Sequence, residues 1–249
     1  MPFGLQVFNP SWIEASAGTK GKAGLIVRTQ NCSMTVATPQ KCVGCGGTGP
    51  KASVLTFSEL LNNDNLTTAA PKFAPITADS LVFGPHNNDD LRGTEDPRVA
   101  YDSETGTYYM FYTCWAKNGT GSLCLATSKN PTAPCGTMQP CSSWTRHGPA
   151  FAGNHKSGAL LIRDKPPHYL ISGAGQIHIA QSDNLLDWAL GPLFITKTLW
   201  GNPHVEAGPP PMKMSDGNYV FFHNRCETTT KARRRNFTPH STGAFEDNP

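Results

Sequence analysis

The hexapeptide Gly93-Thr94-Glu95-Asp96-Pro97-Arg98 sets two adjacent carboxylates against a proline and an arginine. A strand is expected to begin just after it, at Val99-Ala100-Tyr101. Proline fixes its own φ at about −65° and biases Asp96 towards extended backbone. Arg98 is then placed to grip one carboxylate through two parallel hydrogen bonds and so fix its direction. Two acids held in unlike environments can divide the work of acid and base at a glycosidic bond. The same hexapeptide also suits a capped turn closed by a surface ion pair, so alone it does not decide.

Such residues need a framework, and composition narrows it. With 249 residues the chain is long enough for one sizeable core. Gly (24) and Pro (21) are abundant and charged residues make up only 16%, which suits strands and turns. A net charge of +3 gives no basis for a nucleic-acid or membrane partner. No apolar run approaches the roughly 20 residues that span a bilayer. Met1 to Gln6 lacks a basic region followed by an apolar core, so no signal-peptide pattern is visible.

Four acceptor sequons occur, at Asn31, Asn65, Asn118 and Asn236, and with eight cysteines they favour a secreted protein. Cys135 and Cys141 bracket a Pro-rich loop, and Cys114 and Cys124 flank an expected hairpin; each pair could close a disulfide. Cys42 and Cys45 have zinc or redox spacing. No second pair and no βαβ context accompany them, so a loop disulfide or free thiols is the expectation.

Three segments repeat one pattern: an aromatic and β-branched strand, a second strand ending in a small residue and serine, and commonly a tryptophan. The second repeat runs Thr107–Tyr112, Ser122–Ser128 and Trp144; the third runs His168–Ser172, Gln176–Ser182 and Trp188. The first, Gly24–Arg28 with Ala52–Ser58, is looser, and a fourth begins at Asp216–His223. Strand repeats of this length predict an all-β chain of propeller blades, each burying its faces against its neighbours. That geometry gathers Arg28, Asp96 and Glu206 around one axial pocket. A β-sandwich of short strands is the competing architecture. About three and a half blades are expected over residues 1–225, with the ring incomplete. Residues 226–249, including Arg233-Arg234-Arg235, read as a poorly ordered or non-native tail.

The motifs Glu95-Asp96-Pro97-Arg98, Asn154-His155-Lys156-Ser157-Gly158-Ala159, Gln176–Ser182 and Glu206-Ala207-Gly208-Pro209-Pro210-Pro211 occur in this order. So arranged, the chain resembles glycoside hydrolase family 130 over roughly residues 5–224. The resemblance implies a five-bladed β-propeller acting on β-mannosides, by phosphorolysis or inverting hydrolysis. It implies a carbohydrate partner and no cofactor. It gives Asp96 the role of general acid, acting through a sugar hydroxyl. It sets Arg28, Glu95, Arg98 and Lys156 around the mannose and phosphate region, with His223 at the end of a blade-four strand. Each has a plainer alternative: Arg98 orienting Asp96, Lys156 a solvated loop lysine, His223 a satisfied strand-end histidine.

Two departures bear on the reaction. Phosphorylases of the family place a lysine ahead of the Ala-Gly-Pro-Pro stretch and an arginine at the end of a blade-three strand. This chain has His204-Val205-Glu206 and Ser172-Gly173-Ala174-Gly175 there. Phosphorolysis needs cations around a dianion, which a carboxylate at Glu206 would repel. Glu206 suits a base that deprotonates water; its plainer reading is an acid paired with His204. Inverting hydrolysis with Asp96 as acid and Glu206 as base is therefore expected, with substrate-binding Arg28, Glu95, Arg98, Lys156, His204 and His223. Trp12 or Trp115 could stack on a sugar. A phosphorylase, a related arabinosidase or fructosidase, and a non-catalytic carbohydrate-binding remnant are the alternatives.

Overall fold

Aromatic and β-branched residues in period-two runs form strands throughout the computed structural model. It describes residues 5–31, 33–34, 42–43, 52–62, 70–135, 141, 143–153, 155–195, 204–226 and 240–241. β1 (Leu5–Ile13) and β2 (Gly24–Asn31) precede a two-residue ladder of β3 (Ser33–Met34) and β4 (Cys42–Val43); β5 (Val54–Glu59) and β6 (Leu81–Phe83) follow. β1, β2, β5 and β6 pair in that order as one sheet. β7 (Gly93–Asp102), β8 (Thr107–Trp115), β9 (Gly121–Ser128) and β10 (Thr145–Pro149) form the second sheet. β11 (Gly158–Leu161), β12 (His168–Ser172), β13 (Ile177–Ser182) and β14 (Ala189–Ile195) form the third. In the fourth, β15 (His204–Ala207) pairs with β18 (Phe222–Cys226) and then β19 (His240–Ser241); β16 (Met212–Lys213) and β17 (Tyr219–Val220) form a small separate ladder.

The sheets follow one another in chain order, each packed on the next, as propeller blades do; the two-layer sandwich does not hold. Ile26, Leu55 and Phe83 of the first sheet meet Tyr108, Met110 and Tyr112 of the second. Phe111, Leu123 and Leu125 meet Leu160, Leu170 and Ala180 of the third. Ala159, Ile171 and Ile177 meet Val205, Ala207 and Phe221 of the fourth. Central β8 is buried along nearly its whole length because both its faces are covered, whereas β10 and β14 sit at sheet edges and are largely exposed. Gly158 permits the close approach of the second and third sheets: a Cβ there would lie 2.8 Å from Leu123 Cδ2.

The first three repeats of the sequence correspond to the second and third strands of the first three sheets. The third repeat's first strand matches β12 in full, and β8 and β9 extend the second repeat by a few residues. Two expectations are corrected. The strand expected from Val99 begins at Gly93, so the acidic hexapeptide lies inside β7 and not in a turn before it. The run Asp216–His223 is split between β17 and β18, and the fourth sheet opens with β15, which the repeat did not mark.

Cys114 and Cys124 are bonded across β8 and β9, and Cys135 is bonded to Cys141, as expected from their spacing. Cys42 opens β4, while Cys45 lies outside the described residues. Of residues 226–249, Cys226 ends β18 and His240–Ser241 form β19; the remainder lie outside the described residues. Among the described residues no helix is long and apolar enough to cross a membrane.

The turn that delivers β7 is held by a buried ion pair. Asp90 is fully buried; its Oδ1 accepts from the backbone N–H of His86 and Asn87, and its Oδ2 pairs with Arg146. The Arg146 guanidinium lies over the Phe83 ring at 3.8 Å, and burial raises the Tyr112 phenol beside it. A charged pair so desolvated persists because its remaining hydrogen-bond positions are filled.

Candidate active site

Asp96 stands at a β-bulge. The β7–β8 register breaks between Glu95 and Arg98, and the β1–β2 register breaks between Phe8 and Ser11. At these breaks Asp96 has φ of 51° and Asn9 has φ of 43°. Proline at position 97 favours extended backbone for Asp96, so the expectation from sequence is corrected here: the residue is left-handed. Such a conformation costs on the order of 1–3 kcal/mol and persists only where surrounding bonds impose it. Here they do. Asn9 Nδ2 donates to Asp96 Oδ1 at 2.5 Å, and Arg28 Nη1 donates to the same oxygen at 3.1 Å.

Arg28 reaches from β2 across to β7. Its Nη2 donates to Glu95 Oε1 at 2.7 Å and its Nε to Ser53 Oγ at 3.2 Å, while Ser53 Oγ donates to the same Glu95 oxygen at 3.0 Å. One guanidinium therefore spans both adjacent carboxylates, which are only 14% exposed. The two-pronged grip on one carboxylate expected of Arg98 is not formed; Arg28 instead places one prong on each acid. Past the bulge, Arg98 points elsewhere: its Nε donates to Gly208 O at 3.0 Å and its Nη1 to Pro97 O at 3.1 Å. Two more bonds hold β7 on the first sheet, Val99 N to Ser11 Oγ at 2.8 Å and Thr94 N to Ser53 O at 3.0 Å.

Arg98 is buried, and that burial lowers its pKa from the ordinary arginine value, while the charges of Asp96 and Glu206 oppose the shift. Both carboxylates therefore lie within electrostatic reach of one guanidinium, although 110 residues separate them in the chain. Glu206 is held from the third sheet. Ser157 Oγ donates to its Oε1 at 2.5 Å, and Ser157 is itself left-handed, with φ of 54°. The backbone around Glu206 is clamped to the β12–β13 turn: Gly175 N donates to Val205 O at 2.6 Å, and Ala207 N to Gly173 O at 3.2 Å. Among the described residues, non-glycine positive φ occurs at Asn9, Lys20, Asp96, Ser157 and Leu185; three of these five bond to, or are, the candidate acid and base. Strain concentrated in this way marks functional positions.

Lys156 precedes Ser157, and its Nζ lies over the Trp115 ring at 5.6 Å, a cation–π contact. Beside it, His155 meets the rings of Phe151 and His178, and burial together with His178 lowers its pKa. His204 opens β15 and pairs with Cys226. His223 pairs with Ala207, is buried, and lies near the Phe221 ring. The structure thus joins Arg28, Glu95 and Asp96 directly, and the charges of Asp96 and Glu206 both act on Arg98. It places Lys156 one residue from the serine that holds Glu206. His204 and His223 share the fourth sheet with Glu206. Ser53 and Ser157 have contacts in the site that the sequence reading did not assign to them; each lies beside a motif glycine or strand start, and nothing in its local pattern marks its partner. Among the described residues, no group of three or more His, Cys, Asp or Glu could hold a metal ion.

Comparison with known proteins extends this picture. The family 130 glycoside hydrolase model, described as β-1,4-mannooligosaccharide phosphorylase, matches residues 71–237. A 1,2-β-oligomannan phosphorylase from Thermoanaerobacter sp. (strain X514) is 30% identical over 154 residues, 58% of this chain and 47% of that protein. The chain thus spans about half the length of the curated relative it matches. The β-1,2-mannobiose phosphorylase of Listeria innocua, solved with β-1,2-mannobiose, superposes with a TM-score of 0.65 at 15% identity, over 96% of this chain and 72% of that one. A further structure was reported with glycoside hydrolases of family 130 that target β-1,2 mannosidic linkages in Candida mannan. It superposes with a TM-score of 0.60 at 23% identity, over 90% of this chain and 62% of that one. At these identities the superpositions show the fold alone: the successive sheets of this chain match part of the five-bladed propellers of those proteins. The match to the family model takes in more than half of the residues, from ahead of β7 to beyond β18, and by it the chain belongs to glycoside hydrolase family 130.

Proposed function

We propose that the chain acts on β-D-mannosides as an inverting glycoside hydrolase, with Asp96 as general acid and Glu206 as general base. The observation that carries this reading is the arrangement around Arg98: two carboxylates from separate sheets, each held by a partner in strained backbone, both sensed by one buried guanidinium. A group that has only to stabilise a fold has no need of such placement. In the reaction, Asp96 delivers a proton to the leaving oxygen, directly or through a sugar hydroxyl. Glu206 removes a proton from water as it attacks the opposite face of the ring. Single displacement calls for carboxyl groups roughly 6.5–9.5 Å apart, and a relay through a hydroxyl tolerates more. Arg28, Glu95 and Asn9 supply directed polar groups for sugar hydroxyls, and Trp115 an aromatic face. The mannoside class is supported by the names of the relatives, which act on mannobiose or oligomannan. Folding in an oxidising, extracellular compartment is supported by the two disulfides.

Phosphorolysis is the second reading. The names of the family model and of the curated relative favour it, and Lys156 is a cation close to Ser157 and Glu206. Arg28 and Arg98 are less suited to a phosphate, because they already serve carboxylates and backbone carbonyls. Incubating the chain with β-1,2-mannobiose, with and without phosphate, and following the anomeric protons by NMR decides between the two. The expected result is α-mannose released at the same rate in both samples. Mannose 1-phosphate, formed only with phosphate present, sinks hydrolysis; binding without turnover sinks both readings in favour of a carbohydrate-binding module.

A further inference from the structure

We infer that Asn118 carries an N-linked glycan. Asn118-Gly119-Thr120 is an acceptor sequon whose three residues all lie among the described residues, at the tip of the β8–β9 hairpin. Asn118 and Thr120 are both exposed there. The tip is fixed by its own bonds: Gly119 N donates to Ala116 O at 2.8 Å, Ala116 N to Thr120 O at 2.9 Å and Lys117 N to Asn88 O at 3.0 Å. Thr120 N donates to Asn118 Oδ1 at 2.9 Å, so the carboxamide oxygen holds the turn. The nitrogen, which a glycosyl transfer uses, is a different atom. Gly119 has φ of 86°, and a Cβ on it would lie 2.7 Å from Arg92 Nη1, so the middle position takes glycine for reasons of fold and remains permissive for the sequon.

A second, independent observation concerns compartment. The hairpin that bears Asn118 is bridged near its turn by Cys114–Cys124, with Cα atoms 5.8 Å apart, and Cys135–Cys141 is bridged as well. Disulfides persist where N-glycosylation takes place, in the oxidising secretory compartments. In the transfer, Asn118 Nδ2 attacks the anomeric carbon of a lipid-diphosphate-linked oligosaccharide. The C–N bond forms, the bond from carbon to the diphosphate oxygen breaks, and Nδ2 gives up one proton. Because the hairpin leaves β8 at Trp115, which pairs with Gly93, the glycan stands at the end of the second sheet that carries Glu95 and Asp96.

The test is expression of the full chain behind a secretion leader in eukaryotic cells, with peptide mapping before and after amidase removal of N-glycans in heavy-oxygen water. The Asn118 peptide is expected to return as heavy-labelled aspartate. Asn118→Gln and Thr120→Ala should each lose one glycan step in gel mobility, and Thr120→Ser should keep it. Thr120→Ser keeps both the sequon and the hydroxyl and so serves as the folding control, and none of these readouts depends on whether the chain hydrolyses mannosides. Recovery of the Asn118 peptide unmodified from the secreted chain, or unchanged mobility of Thr120→Ala, overturns the assignment.

Discussion

Asp96 concentrates the cost and the purpose of the site: it is left-handed before a proline, and two side chains from the first sheet converge on one of its oxygens. Asp96→Asn keeps the shape and much of the hydrogen bonding but removes the transferable proton. Its kcat on a β-mannoside should fall by about 10²–10⁴-fold, the range general acids contribute, with sugar affinity nearly unchanged. An unaltered kcat would exclude Asp96 as the acid. At this scale the sequence marks the paired acids and is less informative about which side chains hold them. The pair Glu95-Asp96 stands out because adjacent acids against Pro-Arg are chemically unusual. Their partner was assigned to Arg98 by adjacency, but a bulge turns Arg98 towards Gly208 and leaves the grip to Arg28, 67 residues away from Glu95. Contacts of that separation depend on how sheets dock, which local sequence does not encode.

Strands advertise themselves when one face differs from the other or, as in β8, when aromatic residues run together, and this governs which elements are legible in the sequence. β12 and β13 mix buried and part-exposed residues and were placed to within a residue. β11 is buried at all four positions and β15 is only four residues long, so neither offers an alternation to detect. β7 was shortened in the reading because Asp-Pro looks like a turn; a bulge accommodates the proline instead. The β12–β13 turn carries a prediction of its own. Gly173 has φ of 143°, and a Cβ there would lie 1.8 Å from Gln176 O. Gly173→Ala must therefore shift the turn that clamps Val205 and Ala207 on either side of Glu206. Turnover should drop at least about tenfold, the equivalent of about 1.4 kcal/mol of transition-state stabilisation, while Arg28, Glu95 and Asp96 stay in place. Crystal structures of the variant and parent check this: displacement confined to the turn and β15 is expected, and full activity would show that the clamp does not position Glu206.

Across the molecule, histidine burial sets the response to acid. His155 and His168, both half-buried, are held below the imidazole value of 6.5, chiefly by burial. His168 Nδ1 also accepts from Arg163 N at 3.1 Å, a role that protonation there would end. Each pKa is depressed in the folded chain, so the unfolded chain binds more protons as pH falls from about 6.5. Stability should be complete above that value and decline below it. Thermal unfolding followed from about pH 7.5 to about pH 5.5 should show a falling Tm, with a shallower fall in His155→Gln. A Tm flat across the window would refute it. The architecture itself was largely legible, because blade-like repeats recur in any chain whose sheets stack around an axis. The registry of one sheet against the next was not, since the residues that set it are uniformly apolar.

The Arg98–Gly208 bond spans 110 positions and joins the strand bearing Asp96 to the loop that follows Glu206. The proposed proton donor and proton acceptor are thus mounted on separate sheets, with no short stretch of chain to keep them in step. Any catalysis by the pair becomes a gauge of how firmly distant sheets stay docked. It would fade while every individual sheet still held its own ladder.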